Sequence, residues 1–196
     1  MIKSVIFDFG NVIANFSQEE FIKKHNPKSL SLAEFQKLIF HNWPALDNGD
    51  IELDDYIQQA LALAPKKAHQ ELINFFNEWT QYFEYNQPIY DLIKELETKD
   101  IDLYLLSNAP RFFAESLSKF EVLDNFKGFV ISGVEKVSKP DEAIYQILLD
   151  RFNIDPKHAL FIDDLEDNVK AAIDLGIKSI RYVDDTQAIK ALLFNK

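Results

Sequence analysis

The chain has 196 residues, 47% of them hydrophobic and 13% aromatic, with only five glycines and seven prolines, which excludes disordered and collagen-like classes and leaves length for one domain of substantial core, or for a core plus a modest insertion. A net charge of −11 repels nucleic acid and anionic lipid at long range, so neither is expected as a partner, and the lack of cysteine excludes disulfides, thiolate metal sites and a cysteine nucleophile. No segment reads as a secretory leader or approaches the roughly 20 apolar residues of a membrane span, so a cytoplasmic protein is expected.

The run Ile2-Lys3-Ser4-Val5-Ile6-Phe7 reads as a buried parallel strand, and it ends in Asp8 followed by Gly10-Asn11. Ligands of open α/β sheets bind outside the carboxyl ends of such strands, so Asp8 stands where chemistry is done, although an Asp there also suits a turn or a cap. Ser17-Gln18-Glu19-Glu20 and Ser31-Leu32-Ala33-Glu34 both match the capping-box pattern that opens a helix. After the Asn48-Gly49 turn, Asp54 and Asp55 suit a first helical turn, and Ile57, Ala60, Leu61 and Ala64 recur at helical spacing. Leu72, Ile73, Phe76, Trp79 and Phe83 share one further helical face. Residues 17–84 therefore read as an all-helical module.

From Pro88 the rhythm becomes helix, strand, helix, strand, the pattern of a parallel sheet. A helix over 88–96 precedes a strand over 101–106 that ends in Ser107-Asn108. A helix from Pro110 carrying Phe113, Leu117 and Phe120 leads to a strand over 128–132, and another helix opens at Pro140. The strand over 159–162 ends in Asp163-Asp164; a helix from Leu165 to Gly176, a strand over 179–183 and a last helix complete the chain. The expected class is α/β: a parallel-sheet core of residues 1–16 and 85–196 with residues 17–84 inserted after the first strand.

The strand ends collect Asp8, Ser107-Asn108, Ser138-Lys139-Pro140 and Asp163-Asp164. Two unit charges 4 Å apart repel by about 4 kcal/mol at an effective dielectric of 20, so clustered acids ask for a cation, and oxygen ligands with a phosphate suit Mg²⁺. Lys139 and the Ser107 hydroxyl would hold an anionic group beside a carboxylate nucleophile. The constellation is that of phosphoryl transfer on a small phosphate substrate.

In this order, Asp8, Leu105-Leu106-Ser107-Asn108, Ser138-Lys139-Pro140 and Phe161-Ile162-Asp163-Asp164 with Asn168 resemble the four motifs of the haloacid dehalogenase superfamily. Asp8-Phe9-Gly10-Asn11-Val12-Ile13 is most similar to its branch of sugar-1-phosphate phosphatases and epoxide hydrolase amino-terminal domains. The resemblance implies a Rossmann-like core under a helical cap and a Mg²⁺-dependent phosphatase. In it Asp8 forms an aspartyl-phosphate, and Asp8, the Gly10 carbonyl and Asp164 hold the metal. Asp163 and Asn168 support these from behind. Ser107, Asn108, Gly10 and Asn11 line the phosphate site, and Lys139 neutralises Asp8 and the transferring group. A 2-haloacid dehalogenase, attacking carbon without metal, and a weakly catalytic regulatory module are the alternatives; the Asp163-Asp164 pair disfavours the first by opposing a carboxylate substrate.

The superfamily's phosphatases usually carry a second Asp two residues after the nucleophile as acid and base, whereas here that position is Gly10. Loss of a positioned acid-base typically costs about 10²–10⁴-fold, so the expected substrate has an acidic leaving group, such as an anomeric or acyl phosphate, or a residue of the inserted module substitutes. His41, Asp47 and Asp50 are the candidates, and Trp43 beside them either contacts substrate or packs the cap. His25, His69 and His158 read as surface or capping residues, and Arg111 as a helix-surface residue.

Overall fold

The computed structural model describes residues 1–194, so the last two positions expected in the core, 195 and 196, lie outside the described residues. Val5, Ile6 and Phe7 are fully buried in β1 (Ser4–Phe7). The chain then forms β2 (Ala14–Asn15) and enters the helical insertion: α1 (Gln18–His25), α2 (Leu32–Ile39), α3 (Trp43–Asp47), α4 (Leu53–Leu63) and α5 (His69–Glu78). It returns through β3 (Glu84–Tyr85), which pairs antiparallel with β2 and ties the exit and re-entry points together. Both expected helix starts form: the Ser17 side chain accepts from the Glu20 N–H at 3.3 Å, and Ser31 and Glu34 close a full capping box.

The remainder alternates: α6 (Gln87–Glu97), β4 (Asp102–Ser107), α7 (Arg111–Ala114), β5 (Gly128–Ile131), α8 (Ser132–Glu135), α9 (Glu142–Phe152), β6 (Ala159–Asp163), α10 (Glu166–Asp174), β7 (Lys178–Arg181) and α11 (Thr186–Phe194). The five long-range strands form one parallel sheet in the order β5-β4-β1-β6-β7, as expected of a Rossmann-like α/β fold. The chain builds outward from β1 on one side and then on the other, so the order reverses at β1 and opens a crevice at its carboxyl end. Among the described residues no helix is long and apolar enough to cross a membrane.

Alternation along β1 sends Ile6 to one face with Tyr145 and Leu148 of α9, and Val5 and Phe7 to the other. That second face is continuous with the insertion: the Phe9 ring meets Phe83, Phe113 and Phe120 at centroid distances of 5.2, 4.7 and 5.0 Å. These aromatic contacts explain where local patterning misleads. The helix expected from Pro110 stops at Ala114 and gives way to 3-10 turns at Leu117–Lys119 and Glu121–Leu123, where burying Phe112, Phe113 and Phe120 outweighs helical propensity. Likewise α5 ends at Glu78, and a 3-10 turn at Trp79–Tyr82 brings Trp79 against Phe112. Phe75, fully buried, takes the core position that the spacing assigned to Ile73, which is half-buried.

Candidate active site

Asp8 directly follows β1, and its backbone N–H donates to the Ile162 carbonyl of β6 at 2.9 Å, which pins it to the sheet. Beyond it the chain turns at once, with the Ile13 and Ala14 N–H groups donating to the Phe9 carbonyl at 2.9 and 3.0 Å. Asn11 sits at φ 56°, a left-handed conformation that Asn tolerates better than most residues. Its Oδ1 accepts from the Phe16 N–H at 3.0 Å, and its Nδ2 donates to Asp164 Oδ2 at 3.3 Å. The side chain expected to line the phosphate site thus braces the loop and orients an acid.

Lys139 Nζ lies at the centre of the strand ends. It donates to Asp8 Oδ1 at 2.8 Å, Asp163 Oδ2 at 2.6 Å and the Leu106 carbonyl at 2.9 Å, which uses all three ammonium protons. Asn108 fixes the lysine's backbone in a reciprocal pair: its Nδ2 donates to the Lys139 carbonyl and its Oδ1 accepts from the Lys139 N–H, both at 2.8 Å. Asp163, fully buried, also accepts from the Leu165 N–H at 2.8 Å and from Asn168 Nδ2 at 3.0 and 3.1 Å. Tyr145 donates to the Asn168 carbonyl at 2.8 Å, and Arg181 Nε to the Asp164 carbonyl at 2.9 Å; nothing in their spacing announced these two supports.

Carboxylate oxygens of Asp8, Asp163 and Asp164 lie within 4.8 Å of one another, with Asp164 the most accessible of the three. Burial, reinforced by Asp163 and Asp164 and opposed by Lys139, pushes the Asp8 carboxyl up to about 6. Burial and Asp163 likewise raise Asp164. For Lys139 burial works against the charge, but Asp8 and Asp163 overcome it and hold the ammonium above the ordinary lysine range. One cation is too little for three acids. A hard divalent ion ligated by carboxylate and carbonyl oxygen fits this set, because it would relieve the repulsion that raises both acids.

Beside the acids opens a cleft of about 80 Å³ between the sheet ends and the insertion. Gly10, Phe16, Ser107 and Asn108 of the core line it together with Trp43 and Asp47 of the insertion. Trp43, a candidate for substrate contact, is therefore in place. His41 is not: its ring stacks on Tyr56 at 4.2 Å and its Nδ1 pairs with the Leu38 carbonyl at 2.9 Å, inside the packing of the insertion. His25 departs from its expected surface role as well. Its side chain is 7% exposed, stacked on Phe35 and paired with the Tyr82 hydroxyl at 2.7 Å. His69 and His158 make local pairs with the Ala64 carbonyl and with Asp155. Arg111 meets Glu52 across the rim at 3.6 Å.

The parallel sheet with acids at its carboxyl ends and a helical insertion after the first strand defines a class of hydrolase, and sequence comparison agrees. A family profile described as haloacid dehalogenase-like hydrolase matches residues 2–176. The chain belongs to this family. It is 27% identical over 188 residues, 93% of the chain, to sesquiterpene phosphatase AstK of Aspergillus oryzae, of which it covers 90%. It is also 35% identical over 102 residues to acyl-CoA dehydrogenase family member 10 of Mus musculus, but spans only 9% of that protein's length. A HAD family enzyme of Bacteroides thetaiotaomicron, solved as its magnesium complex, is 25% identical and superposes with a TM-score of 0.74 over 100% of this chain and 99% of its own.

Proposed function

We propose that this chain is a Mg²⁺-dependent phosphatase that transfers the phosphoryl group of a small phosphate ester to Asp8 and then to water. The observation that carries this reading is the ammonium of Lys139 bridging Asp8 and Asp163 while Asp164 completes a three-carboxylate cluster at the strand ends. Asp8, the Gly10 carbonyl and Asp164 are the groups that would hold Mg²⁺, since Asp163 is already saturated by four hydrogen bonds. The metal, when bound, supplies charge neutralisation for the phosphoryl oxygens.

Residue roles follow from the contacts. Lys139 restrains Asp8 and neutralises its charge, so that an anionic substrate can approach. Ser107 and the Asn108 backbone hold phosphoryl oxygens at the floor of the cleft, and Asn108 through its side chain also keeps Lys139 in place. Asn11 and Asn168 orient Asp164 and Asp163. Such a site works by positioning and electrostatics, which is what phosphoryl transfer requires of a protein. Residues 17–84 act as a cap over a core of 1–16 and 85–196, and the leaving group sits between them. The named phosphatase relative and the magnesium-bound neighbour support the same chemistry.

A panel of phosphate monoesters and acyl phosphates, assayed with Mg²⁺ and again with a chelator, tests the proposal. Turnover should require the metal and fall by about 10³-fold or more in Asp8→Asn. Activity that survives chelation, or release of halide from a 2-haloacid, would instead favour attack on carbon.

A further inference from the structure

Gly10 leaves the nucleophile loop without an acid for the departing oxygen. Nothing crowds that position, since a Cβ there would meet only the Cβ of Phe16 at 3.7 Å. The same cleft that Gly10, Ser107 and Asn108 line is also lined by Asp47, the last residue of α3 and the sole titratable side chain lining it among the described residues. Its Oδ1 is buried with no hydrogen-bond partner among the described residues, an arrangement costly for a carboxylate, and the His41 Nε2 is the other such atom.

The backbone around Asp47 is clamped to the core. Ser132 Oγ donates to the Asp47 carbonyl, and Ser138 Oγ donates to Asn48 Oδ1 at 2.5 Å. Gly49, at φ 70°, packs so tightly that a Cβ would come within 2.4 Å of the Gly133 carbonyl oxygen. Ser132, Gly133 and Ser138 belong to the segment that leads from β5 to Lys139. The element that presents Asp47 is therefore fastened to the one that presents Lys139, so the backbone that carries the carboxyl is held in place beside the cleft.

We propose that Asp47 is the general acid and base of the reaction, supplied from the insertion in place of the acid absent at Gly10; the assignment rests on the phosphatase reading above. Asp8 forms a bond to phosphorus as the bond to the leaving oxygen breaks, and that oxygen takes the Asp47 proton and departs as the alcohol. The Asp47 carboxylate then takes a proton from the water that attacks the aspartyl-phosphate. This releases inorganic phosphate, regenerates the Asp8 carboxylate and returns Asp47 to its acid form. The resting state suits the first step: burial pushes the Asp47 carboxyl up to about 8 against the pull of the Trp43 indole, so it holds a proton at neutral pH. Tyr56 of α4 is the titratable group that senses it, and burial together with Asp47 keeps that phenol above its ordinary range.

Phenyl phosphate and 4-nitrophenyl phosphate, assayed with Mg²⁺ on wild type, Asp47→Asn and Asp8→Asn, separate the possibilities. Loss of an acid that protonates the leaving oxygen lowers kcat/KM, which reports transfer to Asp8, on phenyl phosphate by about 10²–10⁴-fold. The 4-nitrophenyl ester, whose phenol leaves unaided, should lose far less. The basic limb of the wild-type kcat/KM profile, near pH 8, should vanish in Asp47→Asn. Equal losses of kcat/KM on the two esters, or an undiminished kcat/KM on phenyl phosphate, would overturn the role of Asp47 while leaving the phosphatase reading intact. Failure of wild type to cleave either ester with Mg²⁺, or full activity in Asp8→Asn, would overturn the phosphatase reading itself and the assignment of Asp47 with it.

Discussion

Asp47 carries a stability signature that does not depend on catalysis. In the unfolded chain its carboxyl releases a proton near the ordinary value of 3.8, whereas in the folded protein burial retains that proton to about pH 8. A raised acid pKa means that the native state binds the extra proton, so stability falls as pH rises from about 4 to about 8. Asp47→Asn removes the titration. It should therefore flatten that part of the profile and be more stable than wild type at pH 8 by more than about 1.4 kcal/mol, the worth of one pKa unit. Melting temperatures of the two proteins across this range check it, and parallel profiles would show that the carboxyl ionises freely. The strand-end residues Asp8, Ser107, Asp163 and Asp164 were legible in the sequence because each ends, or directly follows, an apolar run, and such ends converge in any parallel sheet, whereas Lys139, eight residues beyond β5, was legible through the Ser138-Lys139-Pro140 motif. Asp47 was legible only as one of three acid-base candidates. Spacing tells which residues share a helix but not which polar atom loses its water, and the same blindness placed His25 on the surface.

Among the elements, α3 and the turn after it carry Asp47 and pack directly on the segment that follows β5. Gly49 combines a left-handed backbone with contact against Gly133, whose own Cβ would lie 2.6 Å from the Arg111 nitrogen. Gly49→Ala should break both conditions, costing about 1–3 kcal/mol from overpacking alone. It should also lower kcat/KM on esters that need an acid more than on 4-nitrophenyl phosphate, because Asp47 loses its seat. Chemical denaturation alongside the two-ester assay reads both effects. Asn48-Gly49 was legible as a turn, and the capping residues Ser17 and Ser31 as helix starts, since these signals act over three or four residues. The lengths of α5 and α7 were not. They are set by Trp79, Phe112 and Phe113 meeting one another across segments distant in sequence, and no local pattern encodes that contact.

On the scale of the whole molecule, the order of strands does most to create the site. Because β4 and β5 extend the sheet on one side of β1 and β6 and β7 on the other, Asp8 emerges at the reversal, flanked by Ser107 from β4 and Asp163 from β6. The helical segment inserted after β2 then closes the crevice with aromatic side chains and one carboxyl. This architecture was legible in the alternation of helix and strand from Pro88 onward, whereas the short β2–β3 ribbon, two residues on each side, was too brief to leave a periodic trace. The central claim is that Asp8 is phosphorylated during turnover. Wild-type enzyme quenched in acid while hydrolysing a phosphate ester with Mg²⁺, then mapped by peptide mass spectrometry, tests it most directly. One phosphoryl group on the peptide that contains Asp8, lost in Asp8→Asn together with turnover, is the predicted result; a phosphoryl group on another residue, or undiminished turnover by Asp8→Asn, would contradict it.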